Sequence, residues 1–299
     1  MKSRQSSSLD VEHLYGQPLY PAAPLSWLAP LWSFICGVIA SANWTWTGSS
    51  VLRLFLGLLL AGPLLGTVWG AMMRVRQHIK VLCNLSGNTE SNPILTLPYT
   101  LSGSTSYRLG VRLSLLSQWW QEAESVVSRP LVQLAASTIF SLTVAAELGR
   151  PSLIFAALGI IFAYTMGFSR GRWVFHPVFS ISVPLFLNWL LGHVAFAALQ
   201  PISVVMAASF AFVFCGCFLS NRTGQSVAWQ LVPQVVVVVG LVASGQPVIA
   251  AIVTLLASSQ LLLIQLLWRP ERRKQYFQAI QWQLAGSMLL AALALGYKP

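Results

Sequence analysis

The chain has 299 residues, 56% of them hydrophobic and 8% charged, with 18 Lys and Arg against seven Asp and Glu for a formal net charge of +11. Soluble domains carry about 25% charged residues, so this composition excludes a water-solvated globular fold and calls for lipid around much of the apolar surface. Chemistry that needs clustered carboxylates is poorly supplied as well, because Asp10 is the single Asp and no acid lies between Glu147 and Glu271.

Residues 1–23 are polar and read as a cytoplasmic tail. No cleavable signal is expected there, since no charged start runs directly into an apolar core. Apolar windows bounded by Gly, Pro or charge then predict nine spans, near residues 24–44, 51–72, 130–148, 151–168, 178–198, 201–219, 227–244, 247–267 and 279–296. Each is close to the ~20 residues that cross a bilayer as a helix. The expected fold is therefore an all-α membrane protein with nine transmembrane helices.

A cytoplasmic insertion at about 74–129 separates the second and third spans. Its middle, Asn84 to Ser106, is rich in Ser, Thr, Asn, Gly and Pro and reads as loop. Leu109 to Val127 alternates apolar and polar residues at roughly helical spacing, which suits an interfacial amphipathic helix anchored by Trp119 and Trp120. A polar-faced extension of the third span fits the same pattern. Further on, Arg150-Pro151, Gln200-Pro201 and Gln246-Pro247 place a proline in the first turn of a new helix, predicting tight helical hairpins.

Fifteen of the basic residues fall on one set of connections and three, Arg53, Arg150 and Lys298, on the other. By the positive-inside rule this predicts a cytoplasmic (inner) membrane protein with its N-terminus in the cytoplasm and its C-terminus outside. The cations are scattered over membrane-proximal loops, so membrane lipid headgroups, and no nucleic acid, are the expected counter-charge. Cys36, Cys215 and Cys217 fall in predicted spans, and the Cys215/Cys217 spacing points the two thiols to different helix faces, which suits packing better than a metal pair.

Several segments resemble a known family. Pro24-Leu25-Ser26-Trp27, Pro30-Leu31-Trp32, Cys36-Gly37-Val38-Ile39-Ala40-Ser41 and Leu58-Leu59-Leu60-Ala61-Gly62-Pro63-Leu64-Leu65 resemble the opening of the UbiA prenyltransferase superfamily, chlorophyll and bacteriochlorophyll synthases above all. Phe162-Ala163-Tyr164 ahead of Arg170-Gly171-Arg172-Trp173, and the closing stretch Gln275 to Gly296, add to the likeness. The resemblance implies one UbiA-like transmembrane domain over residues 24–299, with nine helices around a central cavity open to the membrane. It also implies two acidic motifs that bind Mg²⁺ and a prenyl diphosphate, whose prenyl group passes to an acceptor ring, a chlorophyllide in chlorophyll synthases.

The first motif, N-D-x-x-D-x-x-x-D, sets three acids on one helix face. Laid on that pattern, this chain carries Met73, Arg76 and Lys80 instead. The second motif's location holds Ser220-Asn221-Arg222-Thr223-Gly224-Gln225-Ser226, without a carboxylate. Mg²⁺ is held through acidic oxygens, waters and substrate phosphates, so no metal site is expected and transfer by the family's mechanism is disfavoured.

Arg74, Arg76, Lys80, Arg170, Arg172 and Arg222 are candidate contacts for a phosphate or lipid headgroup at the cavity mouth. Ordinary positive-inside loop charge accounts for the same residues. Of four histidines, His193 within the fifth span and His176 at its entry are candidate pigment ligands, and a structural hydrogen-bonding role is the alternative.

The sequence thus reads as a non-catalytic, chlorophyll-synthase-like pseudoenzyme that requires no cofactor. Its expected ligand is (bacterio)chlorophyll or an isoprenoid lipid, and its expected place is as structural subunit or assembly factor among the pigment-protein complex subunits of a photosynthetic membrane. The alternative is an active prenyltransferase with an unconventional metal site built from Glu90, Glu122 or Glu124.

Overall fold

A computed structural model of the chain describes residues 28–43, 47–72, 74–75, 131–168, 177–223, 228–267 and 273–297. Nine helices and no strand are present among the described residues. They are α1 (Leu28–Ala40), α2 (Gly48–Met72), α3 (Leu131–Leu148), α4 (Arg150–Phe168) and α5 (Pro177–Val194). After them come α6 (Pro201–Thr223), α7 (Ala228–Ala243), α8 (Pro247–Leu267) and α9 (Arg273–Gly296).

The helix boundaries follow local chemistry. Pro177, Pro201 and Pro247 open α5, α6 and α8, where the missing N–H costs nothing. Gly149 (φ +112°) and Gly245 (φ +78°) make the sharp joints between α3 and α4 and between α7 and α8. Thr47 caps α2 by accepting from the Ser50 amide at 3.4 Å. Pro63 removes one backbone donor inside α2, and the helix widens there into a π turn over Leu60–Leu64.

Two boundaries differ from the expected spans. Helix α5 stops at Val194, short of residue 198, because the chain folds back as the Phe196 and Ala197 amides both donate to the His193 carbonyl. Helix α6 continues to Thr223, beyond the expected end at residue 219; no glycine or proline interrupts the sequence between Gly216 and Gly224. The tail at 1–23, Trp119, Trp120 and nearly all of the insertion at 74–129 lie outside the described residues.

Of the nine helices, α2, α3, α4 and α9 are long and apolar enough to cross a bilayer, while the apolar stretches found in the other five are 10–17 residues long. Large apolar side chains point outward along the bundle, among them Phe55, Val132, Ile139, Phe140, Val248 and Leu255. Outward-facing apolar surface on this scale is solvated by lipid, and the protein is a membrane protein.

Helix α1 is the spine. Phe34 and Val38 on one face enter a core built by α2, α3 and α4 around Leu60, Val68, Trp69, Leu134, Ala156 and Met166. Cys36 and Ala40 on the opposite face enter a second core with Trp189, Met206, Phe210, Leu241 and Met288 from α5, α6, α7 and α9. All three described cysteines are buried free thiols.

Helices α1 and α5 approach so closely that a Cβ on Gly37 would collide with the Trp189 carbonyl, and one on Gly192 with the Phe34 carbonyl. Small residues permit such contact where lipid supplies no hydrophobic drive for association. Two hydrogen bonds fix the spine further: Ser33 Oγ donates to the Leu185 carbonyl at 2.6 Å, and Trp32 Nε1 to the Ala285 carbonyl of α9 at 3.1 Å.

Candidate functional site

At the C-terminal end of α2, Val68, Trp69, Met72 and Val75 turn toward the core and Arg74 is exposed. The Arg74 guanidinium donates from Nη2 to Gln133 Oε1 at 3.1 Å, joining the end of α2 to the start of α3. Of the six candidate phosphate or lipid contacts, Arg74 alone has a described side chain. Arg222 lies in the last helical turn of α6 with its side chain outside the described residues, as are Arg76, Lys80, Arg170 and Arg172 entirely. Met73, the first position of the altered motif, is outside them too.

The donor set at this end does not fit Mg²⁺. At the three positions where the resemblance implies acids, Met, Arg and Lys offer no anionic oxygen. Glu147 is the single acidic side chain among the described residues and sits exposed near the far end of α3. From Gln133 to Glu147 the helix rises about 21 Å, too far to serve the end marked by Arg74. No three His, Cys, Asp or Glu side chains converge among the described residues.

His193 is fully buried at the end of α5, and both of its ring nitrogens are engaged. Nε2 lies 3.1 Å from the Ala198 carbonyl, and Nδ1 lies 3.2 Å from Ser203 Oγ at the start of α6. A carbonyl only accepts, so the proton sits on Nε2 and Nδ1 takes the hydroxyl hydrogen of Ser203. Ser203 Oγ in turn accepts from Trp189 Nε1 at 3.0 Å. The relay Trp189 to Ser203 to His193 to Ala198 satisfies every donor and ties the α5–α6 turn together. In this arrangement the imidazole has no lone pair left for a metal. His176 lies outside the described residues.

Sequence reasoning singled out His193 on α5 and missed its partners. Asn188 is buried, and its Oδ1 has no hydrogen-bond partner. Trp189 precedes His193 by one helical turn and Ser203 opens the next helix, so the hairpin at Gln200-Pro201 was the available signal. Also missed were the buried amides Gln230 and Gln234 on α7 and Gln260 on α8. Gln230 Nε2 donates to the Gly216 carbonyl of α6 at 3.4 Å. Polar residues inside apolar helices are a functional signal by default, and Gln230/Gln234 share one helix face.

An open apolar recess of about 440 Å³ lies between α1, α2 and α9, lined by Ile35, Ile39, Leu54, Leu293 and Tyr297 among others. Its walls offer hydrocarbon contact and, at Tyr297, one hydroxyl. That chemistry suits a lipid tail and not an ion.

Against known proteins, the chain is 28% identical over 303 aligned positions to the bacteriochlorophyll synthase 34 kDa chain of Chloroflexus aurantiacus, an alignment covering 91% of this chain and 87% of that one. No family model and no solved structure matches the chain. The likeness to a bacteriochlorophyll synthase therefore extends along nearly the whole sequence, and the protein is similar to that synthase as a weak homologue.

Proposed function

We propose that this membrane protein keeps the scaffold of a bacteriochlorophyll synthase and has given up prenyl transfer, retaining the capacity to bind a (bacterio)chlorophyll or an isoprenoid lipid. The single observation that carries the reading is the replacement of three motif acids by Met73, Arg76 and Lys80. In phosphoryl and diphosphate chemistry the metal bridge neutralises the leaving group, and side chains without anionic oxygens cannot hold that bridge.

A cationic rim of Arg74, Arg76, Lys80, Arg170, Arg172 and Arg222 would meet a phosphate or lipid headgroup directly, in bidentate geometry where the cation is Arg. With His193 committed to the α5–α6 turn, a bound chlorophyll would take its axial ligand from His176, a backbone carbonyl or water. The recess between α1, α2 and α9 offers room for a hydrocarbon tail. A role as structural subunit or assembly factor of a photosynthetic membrane complex, in the cytoplasmic membrane with the N-terminus inside, accords with such a carrier.

The name of the Chloroflexus aurantiacus relative, a synthase, favours a second reading, an active prenyltransferase using Glu90, Glu122 or Glu124. Two measurements separate them. Native protein extracted in mild detergent is expected to carry a pigment or isoprenoid visible by absorbance and mass spectrometry. Incubation with prenyl diphosphate and a chlorophyllide acceptor is expected to give no product with or without Mg²⁺. Magnesium-dependent turnover abolished by Glu122→Ala would establish the second reading, and protein free of any pigment, quinone or isoprenoid would count against the first.

A further inference from the structure

The interior between α6, α7, α8 and α9 is apolar apart from a few amides and hydroxyls. Gln234 of α7, Gln260 of α8 and Ser287 of α9 are 8%, 3% and 4% exposed. Gln234 Nε2 donates to Gln260 Oε1 at 2.5 Å, a bond between two helices inside the bundle. Gln234 Oε1 is left buried with no hydrogen-bond partner. Ser287 Oγ donates to the Gln283 backbone carbonyl at 2.9 Å and keeps its lone pairs.

These three side chains face one enclosed cavity of about 10 Å³, walled otherwise by apolar groups such as Phe210, Val237 and Ala257. That volume is about one water-sized sphere. A hydrocarbon tail does not fit, and a divalent cation would want six or more oxygens. In the observed arrangement the occupant donates to the Gln234 and Ser287 oxygens, and with the amide pair turned end for end it would accept from Gln234 instead, so it must be able to do either. Water alone among common ligands has that size and both capacities.

We propose that the cavity among α6, α7, α8 and α9 binds one internal water, which donates to Gln234 Oε1 and Ser287 Oγ and so links α7, α8 and α9. The Gln234–Gln260 bond extends the link to a continuous polar bridge across three helices in an otherwise dry sector. The site is independent of whichever larger molecule the protein carries.

The test uses the full-length protein in lipid nanodiscs, with infrared spectra recorded in ordinary water and in H₂¹⁸O. An O–H stretching band that shifts with the isotope is expected in wild type and is expected to be lost in Gln234→Met, which keeps the shape and removes the acceptor. Ala257→Ser places a hydroxyl into the cavity in place of the water and is expected to lose the same band, which decides the matter where Gln234→Met fails to fold. Absence of a shifting band in wild type, or its survival in Ala257→Ser, overturns the proposal.

Discussion

The α1–α5 spine and the C-terminal end of α2 differ in what their residues do. In the spine, Gly37 and Gly192 bring two backbones into contact, and Trp32 and Ser33 reach carbonyls on α9 and α5. Gly37 stands within Cys36 to Ser41, one of the segments that resemble the synthases. At the end of α2, the positions expected to carry acids hold Met73, Arg76 and Lys80. The spine is held by backbone contact and hydrogen bonds, whereas the proposed loss of metal binding concerns the end of α2 alone, and a fold can persist while the site grafted on it changes.

This contrast is breakable by mutation, and the largest effect should fall on the spine. Gly37→Val forces a branched side chain into the Trp189 carbonyl. Overpacking of side chains costs about 1–3 kcal/mol, and a backbone obstacle that cannot repack puts this variant at or above the top of that range. Loss of monodisperse protein on size-exclusion chromatography, or a large drop in thermal midpoint, is the expected result.

Next comes the α5–α6 relay. Ser203→Ala leaves Trp189 Nε1 without its acceptor and His193 Nδ1 without its donor, for a loss of about 1–3 kcal/mol read as a lower thermal midpoint in detergent. An unchanged midpoint would show that the relay contributes nothing.

A smaller change of opposite sign is expected at Ala42, which holds a left-handed backbone (φ 60°) just past α1. Glycine accepts that conformation without the Cβ penalty, so Ala42→Gly should stabilise by about 1 kcal/mol at most after its greater unfolded-state entropy is counted. The smallest effect belongs to the rim: Arg74→Ala removes an exposed hydrogen bond to Gln133 and should shift stability by less than about 0.5 kcal/mol. Its effect should appear instead as weaker retention of an anionic lipid or diphosphate in native mass spectrometry. A rim variant that unfolded the protein as readily as Gly37→Val would erase the contrast.

The order of the nine helices among the described residues was legible because each apolar run is bounded by Pro, Gly or charge, as at Arg150-Pro151 and Gln246-Pro247. Helix ends were less so. The early stop of α5 depends on amides folding back onto the His193 carbonyl, a tertiary arrangement that hydropathy does not encode. The long run of α6 past residue 219 follows from the absence of a breaker between Gly216 and Gly224, where the fall in hydropathy ended the expected span. For the site, the altered motif could be read by its pattern, whereas the Gln234–Gln260 pair could not. Twenty-six residues separate the two, and only the hairpin through Gly245 sets them side by side.

The widened turn at Leu60–Leu64 governs the direction in which the rest of α2 faces. One surplus residue in that turn sets the azimuth of everything that follows on α2, so that Trp69, Met72 and Val75 look inward. Deleting a single residue there would relax the coil to ordinary pitch and swing the helix end by about 100°. The face formed by Trp69, Met72 and Val75 would turn with it, so Pro63 acts as the dial on which the aim of that face is set.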